Sequence, residues 1–400
     1  MSATTGDSMS APATAAEQET ASGLAPLDVT GRLDRLRGIL ETEGPDAEPV
    51  DALLVTTPAN IRWLCGFTGS SGLLLVTTER AVLTTDGRYR TQSLEQVTAA
   101  GVGPEVELCI GGVQAQRDAL VAAGAGAARL GLEADQVTWS AQRSWVELFD
   151  GPEVIPTRAV VERLRLVKDA GEVVRMERAA AIADEALAAV LPLLSAAGSG
   201  RGGGPSEAEF AAALDYAMRQ RGAEESAFET IVASGENSAK PHARPGGRRM
   251  RDGDPVVVDF GAVFDGYRSD MTRTFCIGGE PTGDLATVFE VVAESQRLGV
   301  STVRPGVVAG DVDTACRDVI AASGWAERFE HGTGHGVGLD IHEGPSVGPG
   351  STAILEAGTV VTVEPGVYLP GTGGVRIEDT LVVTDRGSRP LTRFPKEVAV

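Results

Sequence analysis

The strongest constraint on how this 400-residue chain can fold is a set of acidic residues at the ends of apolar, strand-forming runs. An ionised carboxylate taken out of water is costly unless cations or hydrogen-bond donors compensate it. The fold must therefore bring a counter-charge to each one. The run "PVVVDFGAVFDGYRSDMTRTF" (255–275) reads as a hairpin, because Asp265-Gly266 is a strong two-residue turn signal. That turn sets Phe264 against Tyr267 and position 259 against 272. Asp259 and Asp270 then share a face, a diagonal step apart. The run "AGTVVTVEPGVYLPGTGGVRIEDTLVVT" (357–384) repeats the arrangement. A five-residue loop over 370–374 pairs residue 369 with 375 and puts Glu364 and Glu378 on one face, again diagonally. Arg376 lies two residues before Glu378 on that face, where it can orient a ligand.

Histidine supplies the rest of the donor set. The chain has only four, and His331, His335 and His342 all fall in "HGTGHGVGLDIHEGP" (331–345), leaving His242 in "AKPHARPG". Four carboxylates and an imidazole make a hard, oxygen-rich site that suits two divalent ions, such as Mn²⁺, Co²⁺ or Zn²⁺, rather than a structural zinc. Two ions sharing a water would lower its pKa and yield hydroxide at neutral pH.

Composition excludes several alternatives. A net charge of -21 argues against nucleic acid as a partner and against an anionic membrane surface. No run of about 18 apolar residues suggests a membrane span. Cys65, Cys109, Cys276 and Cys316 form no CxxC pair and read as reduced thiols of a cytoplasmic protein. Residues 1–26 lack the basic start and apolar stretch of a signal peptide and read as a disordered tail.

Periodicity predicts two domains. A helix over 32–41, a strand over 50–57, a hairpin over 71–90 and a strand over 128–134 indicate a mixed α/β domain spanning 27–155. From 156 to 400 the pattern is α+β. It opens with a long amphipathic helical segment (160–194) in which Gly171 reads as a break between two helices. The glycine-rich stretch 196–207 has neither the Lys-Ser/Thr pair nor the preceding strand of a phosphate loop, so it reads as a flexible connection. Ser206 and Glu209 form a capping box for the next helix. Helices over 285–303 and 310–323 follow, so this half consists of two similar units, each with helices and an acidic hairpin.

The ordered set Asp259, Asp270, His335, Glu364 and Glu378 resembles the pita-bread metallopeptidases, which include methionine aminopeptidase, prolidase and aminopeptidase P. "GTGHGVGLDIHEGP", "VEPGVY" and "GVRIEDT" match the pattern, and "NIRWLCGFTGSSG" and "TDGRY" are similar to the N-terminal domain of the Xaa-Pro branch. The resemblance covers about residues 30 to 398. It implies an N-terminal creatinase/prolidase-like domain followed by a pita-bread catalytic domain. It implies that Asp259 is a terminal ligand of one metal, that Asp270 and Glu378 bridge both, and that His335 and Glu364 complete the other. Mn²⁺ is the first choice for both ions. Glu364 would also shuttle the proton of the attacking water. His342 would stabilise the tetrahedral intermediate, His242 would contact the substrate near the scissile bond, and His331 would stand beside them in the pocket. A homodimer is also implied, with Trp63 and Phe67 either contacting the partner subunit or belonging to the domain core.

Within the branch, all five ligands are present, unlike in creatinase, and methionine aminopeptidases usually lack a domain like the first one. The implied substrate is a peptide with proline at position 2. Prolidases often grip the prolyl carboxylate with an arginine soon after the second histidine. Here Ser346 takes one such position, and no Arg or Lys occurs from 343 to 363. Arg244, Arg248, Arg249 and Arg251 could substitute for it, but they read first as a solvated turn. The resemblance therefore favours an Xaa-Pro aminopeptidase, with an Xaa-Pro dipeptidase as the alternative and a non-catalytic binding module of the same fold as the third reading.

Overall fold

The computed structural model describes residues 24–42, 49–197 and 204–400. Most of the segment read as a tail (1–23) and the middle of the glycine-rich connection (198–203) lie outside the described residues. In the N-terminal half, β1 (Ala52–Val55), β2 (Gly72–Thr77), β3 (Ala81–Thr85), β4 (Val106–Ile110), β5 (Arg129–Glu133) and β6 (Glu153–Thr157) form one mixed sheet. Its order is β4-β3-β2-β1-β5-β6. Alternation along β1 sends Leu53 and Val55 into one core cluster and Ala52 and Leu54 into the cluster on the opposite face.

The first cluster continues into the second domain through Tyr267, Val337 and Val360, so the two domains share a core. Trp63 and Phe67 lie inside it, 2% and 1% exposed, which decides between the two readings of these aromatics in favour of the core. Trp63 packs under the Arg32 guanidinium at 4.4 Å and donates its indole N–H to Glu172 at 3.1 Å. Gly69 closes directly over the Phe67 ring, where a Cβ would come within 2.2 Å of it.

The C-terminal half opens with two helices, Val160–Arg165 and Ala170–Val190, but the break between them is not at Gly171. It falls before Asp169, which accepts the Glu172 N–H while the Glu172 carboxylate accepts that of Asp169. Gly171 sits in the first helical turn because a Cβ there would lie 2.1 Å from the Pro26 carbonyl oxygen. The Ala170–Val190 helix is part of a stretch apolar and long enough to cross a membrane by composition. Its Ile182, Leu187 and Val190 are instead buried against Phe210 and Leu214 of the helix Glu207–Gln220.

This helix pair covers the sheet of β7 (Ile231–Ser234), β8 (Pro255–Phe260) and β11 (Met271–Cys276), in the order β11-β8-β7. The small ladder of β9 (Val263–Phe264) and β10 (Tyr267–Arg268) continues the β8–β11 hairpin. A second pair of helices, Asp284–Thr302 and Ala309–Ala322, packs on β14 (Val360–Val363), β15 (Gly366–Leu369), β16 (Gly373–Arg376) and β17 (Asp379–Thr384). β12 (Gly334–Gly336), β13 (Glu343–Val347) and β18 (Gly387–Pro390) complete a sheet ordered β13-β12-β14-β17-β18.

The first hairpin has the expected register: Phe264 pairs with Tyr267 and Asp259 with Thr272. Asp265 and Gly266 both have positive φ, 43° and 67°, as a type I′ turn requires. The second hairpin differs. Leu369 pairs with Gly373 across a three-residue loop, and the registers on either side bring Glu364 level with Glu378 rather than diagonal to it.

The two hairpins are joined where the acids cluster. The Glu378 N–H donates to the Thr272 carbonyl at 3.1 Å, and Thr274 Oγ1 exchanges hydrogen bonds with both backbone groups of Arg376. Below this seam, the buried Arg273 reaches Asp379 at 2.8 Å and the Phe394 carbonyl at 2.7 Å. Arg273→Met strands these acceptors and should cost about 3–5 kcal/mol of stability. Urea unfolding of the metal-free protein will measure this.

Candidate functional site

Each candidate residue is placed by a strand end. Asp259 is the penultimate residue of β8, Asp270 lies immediately before β11, and Glu364 and Glu378 occupy the level where the second hairpin passes from one ladder to the next. His335 is the middle residue of β12. Its neighbours are glycines because a Cβ at 334 would lie 2.1 Å from the Thr362 carbonyl oxygen, and one at 336 would lie 1.9 Å from that of Gly344. Strand alternation then sends the imidazole to the opposite face. His335 Nδ1 donates to the Gly336 carbonyl at 3.0 Å, which leaves the Nε2 lone pair free. Nε2 faces Asp270 Oδ2 and Glu364 Oε1, each at 3.5 Å. Donor atoms of Asp270, His335 and Glu378 all lie within 4.8 Å of one another.

The remaining contacts fix the carboxylates without using up their donor atoms. Arg376, 3% exposed, donates from Nη2 to Asp259 Oδ2 at 2.6 Å. It therefore holds an acid of the other hairpin rather than its own neighbour Glu378. Its Nε reaches Thr272 Oγ1 at 3.0 Å, and that hydroxyl donates to Glu378 Oε2 at 2.8 Å. Asp259 Oδ1 is buried with no hydrogen-bond partner. A buried orphan acceptor beside three clustered donors is the environment a divalent cation completes, so the residues fit a metal centre.

The electrostatics point the same way. Burial first, then the neighbouring carboxylates of Glu378, Asp259 and Glu364, hold the Asp270 carboxyl well above the usual range. Glu378 is raised well above it by burial and by Glu364 and Asp259. Burial also pushes Glu364 up to about 8, with Asp259 adding to the effect. His335 is lowered to about 4, mainly by burial. These shifts mark a cavity short of positive charge.

That cavity, about 530 Å³, is lined by Asp259, Asp270, His335, Glu364, Glu378 and Arg376, and also by His242, His331 and His342. His342 stacks edge-on to His335, with ring centroids 4.4 Å apart. Its loop is anchored through Glu343, which accepts from Arg165 and Lys168 at 2.6 Å each; Arg165 in turn reaches Asn60 at 2.7 Å. His331 Nδ1 donates to the Gly332 carbonyl at 2.7 Å, so its Nε2 accepts from Tyr368 Oη at 2.8 Å. Tyr368 Oη accepts from Arg376 Nη1 at 2.9 Å, so Arg376 donates both to Asp259 and, through the Tyr368 hydroxyl, towards His331. Thr272, Tyr368 and Glu343 were not singled out from sequence. Thr272 carried a signal, being the polar residue set opposite Asp259 by the hairpin register.

The chain is similar to known proteins over most of its length. The profile of metallopeptidase family M24 matches residues 174–385, and that of the creatinase/prolidase N-terminal domain matches 32–167. An uncharacterized peptidase of Bacillus subtilis, YqhT, is 39% identical over 92% of this chain and 99% of its own length. An Xaa-Pro dipeptidase of Pyrococcus horikoshii is 41% identical over 60% of this chain and 66% of its own. Among solved structures, an Xaa-Pro dipeptidase from Bacillus anthracis superposes with a TM-score of 0.86 at 37% identity, covering 93% of this chain and 100% of that one. An X-Pro aminopeptidase from Thermotoga maritima gives 0.79 at 33% identity, covering 92% and 100%.

The electrostatics predict how the metal-free protein responds to pH. Folding raises the pKa of Asp270, Glu364 and Glu378, so their contribution to stability is complete below their unfolded values and is lost as pH rises through the folded ones. His331 and His335, lowered to about 4, act oppositely, but only up to their ordinary value of 6.5. Between pH 6.5 and about 8 the carboxylates act alone. The Tm of the chelated protein should fall across that window, and a divalent metal should raise Tm most at its upper end. Calorimetry will read both.

Proposed function

The chain belongs to metallopeptidase family M24, and from that premise we propose that it hydrolyses the peptide bond preceding a proline at position 2 of its substrate. The observation that carries the reading is the buried cluster of Asp259, Asp270, His335, Glu364 and Glu378, with the orphaned Asp259 Oδ1. When bound there, two divalent ions, which we take to be Mn²⁺, would hold a water and lower its pKa. Asp259 would hold one ion, His335 and Glu364 the other, and Asp270 and Glu378 both. The protein's own groups do the rest. Glu364 takes the proton from the attacking water and passes it towards the prolyl nitrogen, which has no hydrogen of its own. His342, held by the Glu343 anchor, donates to the carbonyl oxygen as it gains charge, and His242 binds the substrate on the facing wall. The chain Arg376–Tyr368–His331 keeps Asp259 and the pocket wall in place.

An Xaa-Pro aminopeptidase is the preferred form. Ser346 lines the cavity and no cation occurs from 343 to 363, so peptides can continue past proline on that side. An Xaa-Pro dipeptidase is the second reading, supported by the relatives so named and by Arg244 in the cavity wall. We also place the protein in the cytoplasm, where its four unpaired cysteines would stay reduced, as a homodimer. Sedimentation showing only a fully active monomer at micromolar concentration would remove that last element.

Ala-Pro-Ala should be cleaved and Ala-Ala-Ala should not; chelation should abolish cleavage and Mn²⁺ restore it. Full activity in a metal-free preparation would end the proposal. His342→Ala should lower kcat by about 10²–10³ while metal content stays at the wild-type level. Loss of metal in that variant, measured by elemental analysis, would move His342 into the ligand set.

A further inference from the structure

His242 is exposed on the cavity wall, so the backbone that carries it, and not packing around its ring, sets where it stands. That backbone belongs to the segment 234–246, which leaves β7, makes one short turn of 3₁₀ helix over Gly235–Ala239 and returns towards β8. Two contacts hold its middle. The Pro241 carbonyl accepts from Arg376 Nη1 at 3.2 Å, and Ser238 Oγ accepts the Gly374 N–H at 2.8 Å. Its two roots meet at a single side chain, Glu207, 1% exposed in the first turn of the helix Glu207–Gln220. Glu207 Oε1 accepts from the Ser234 N–H and hydroxyl, both at 2.8 Å, and from Asn237 Nδ2 at 3.1 Å. Its Oε2 accepts the Gly246 N–H at 3.1 Å. The helix end adds two backbone bonds to the far root, from the Glu207 N–H to the Arg248 carbonyl and from the Ala208 N–H to the Gly246 carbonyl, each at 3.0 Å.

Burying an ionised carboxylate is costly, and among the described residues the donors that meet this one are all neutral. An apolar residue here would avoid that cost, but it would leave the Ser234 and Gly246 N–H groups without their acceptor. Glutamine would not replace it, because one of its two ends is an NH2, which would face a donor at one root or the other. The carboxylate accepts at both ends at once, and both ends belong to the segment that carries His242. The same helix holds the neighbouring wall by a separate contact. Asp215 accepts from Ser226 Oγ at 3.1 Å and from Thr230 Oγ1 at 2.5 Å, and so fixes the segment 226–230, whose Phe228, Glu229 and Thr230 also line the cavity.

We propose that Glu207 is a positioning residue of the reaction: it clamps both roots of the segment 234–246 and thereby fixes His242 where the substrate meets the wall. The inference rests on the reading of the cavity as a prolyl-peptidase site with His242 as a substrate contact. It extends that site to a buried acid outside the residues that line the cavity.

The test uses Glu207→Gln and His242→Ala, singly and together, on the Mn²⁺-loaded protein. Glu207→Gln should lower kcat/KM for Ala-Pro-Ala by about 10–10², the scale set by a misplacement of about 1 Å, at wild-type metal content. In the His242→Ala background the same substitution should cost less than about twofold more, because the side chain it positions is already gone. Hydrogen exchange read by mass spectrometry should quicken across 234–248 and stay at the wild-type rate across 226–230, whereas a general loosening of the fold would quicken both. If Glu207→Gln does not fold, Asn237→Ala takes one donor out of the clamp and is judged by the same cycle and the same two segments. Independent losses in the double variant, unchanged exchange across 234–248, or equal quickening of both segments would overturn the proposal. If the wild type cleaves no Ala-Pro-Ala, the assigned reaction fails, and the exchange comparison still decides whether Glu207 holds the segment.

Discussion

The structure depends on the crowding of buried negative charge at the seam between two hairpins. Asp259, Asp270 and Glu378 are each less than a tenth exposed, and the one buried cation lining their cavity among the described residues, Arg376, is paired with Asp259. Like charges this close raise each other's pKa and would push the hairpins apart unless protons or metal ions stand between them. Much of the surrounding architecture resists that push. Thr272 links Arg376 to Glu378, the Thr272 and Thr274 backbone and side chains tie the hairpins edge to edge, and Arg273 and Lys396 pin Asp379 just behind the cluster.

The site was legible in the sequence because its positions follow from local rules. An Asp-Gly turn has one register, and that register alone puts Asp259 and Asp270 on one face. The rarity of histidine did the rest, since all four line the same cavity. The second hairpin was harder to read because Pro370 to Gly374 offers several glycines that can each make a loop. Gly373 and Gly374 are strand residues instead. A Cβ on the first would lie 2.8 Å from the Pro255 ring, and one on the second 2.3 Å from the Ser238 carbonyl oxygen. Gly171 misled in the same way: it reads as a helix break but marks the close approach of another backbone. Whether a glycine serves conformation or proximity is set by neighbours far away in sequence, and periodicity cannot report them.

Arginine shows the same limit. Arg244, Arg248, Arg249 and Arg251 form one basic run on paper, yet the fold sends Arg244 to the cavity, Arg248 to Asp254 and Arg249 to the outer surface. Aromatic residues were equally silent about direction. Trp63 and Phe67 are core residues because the helix carrying Trp63 turns its apolar side inward, and this depends on Arg32 and Glu172 meeting the indole from two other segments.

The turn at Asp265 deserves a mechanical reading. Its carboxylate is held by Arg62 of the N-terminal half at 2.5 Å and by Arg175 of the long helix at 2.6 Å. This turn sets the register that aligns Asp259 with Asp270, so one domain grips the tip of the lever whose other end carries the acids of its neighbour. The catalytic half is therefore not a portable module. A recombined chain that joined it to a foreign first domain would inherit every acid of the cluster, yet lose one of the two hands that keep them in step.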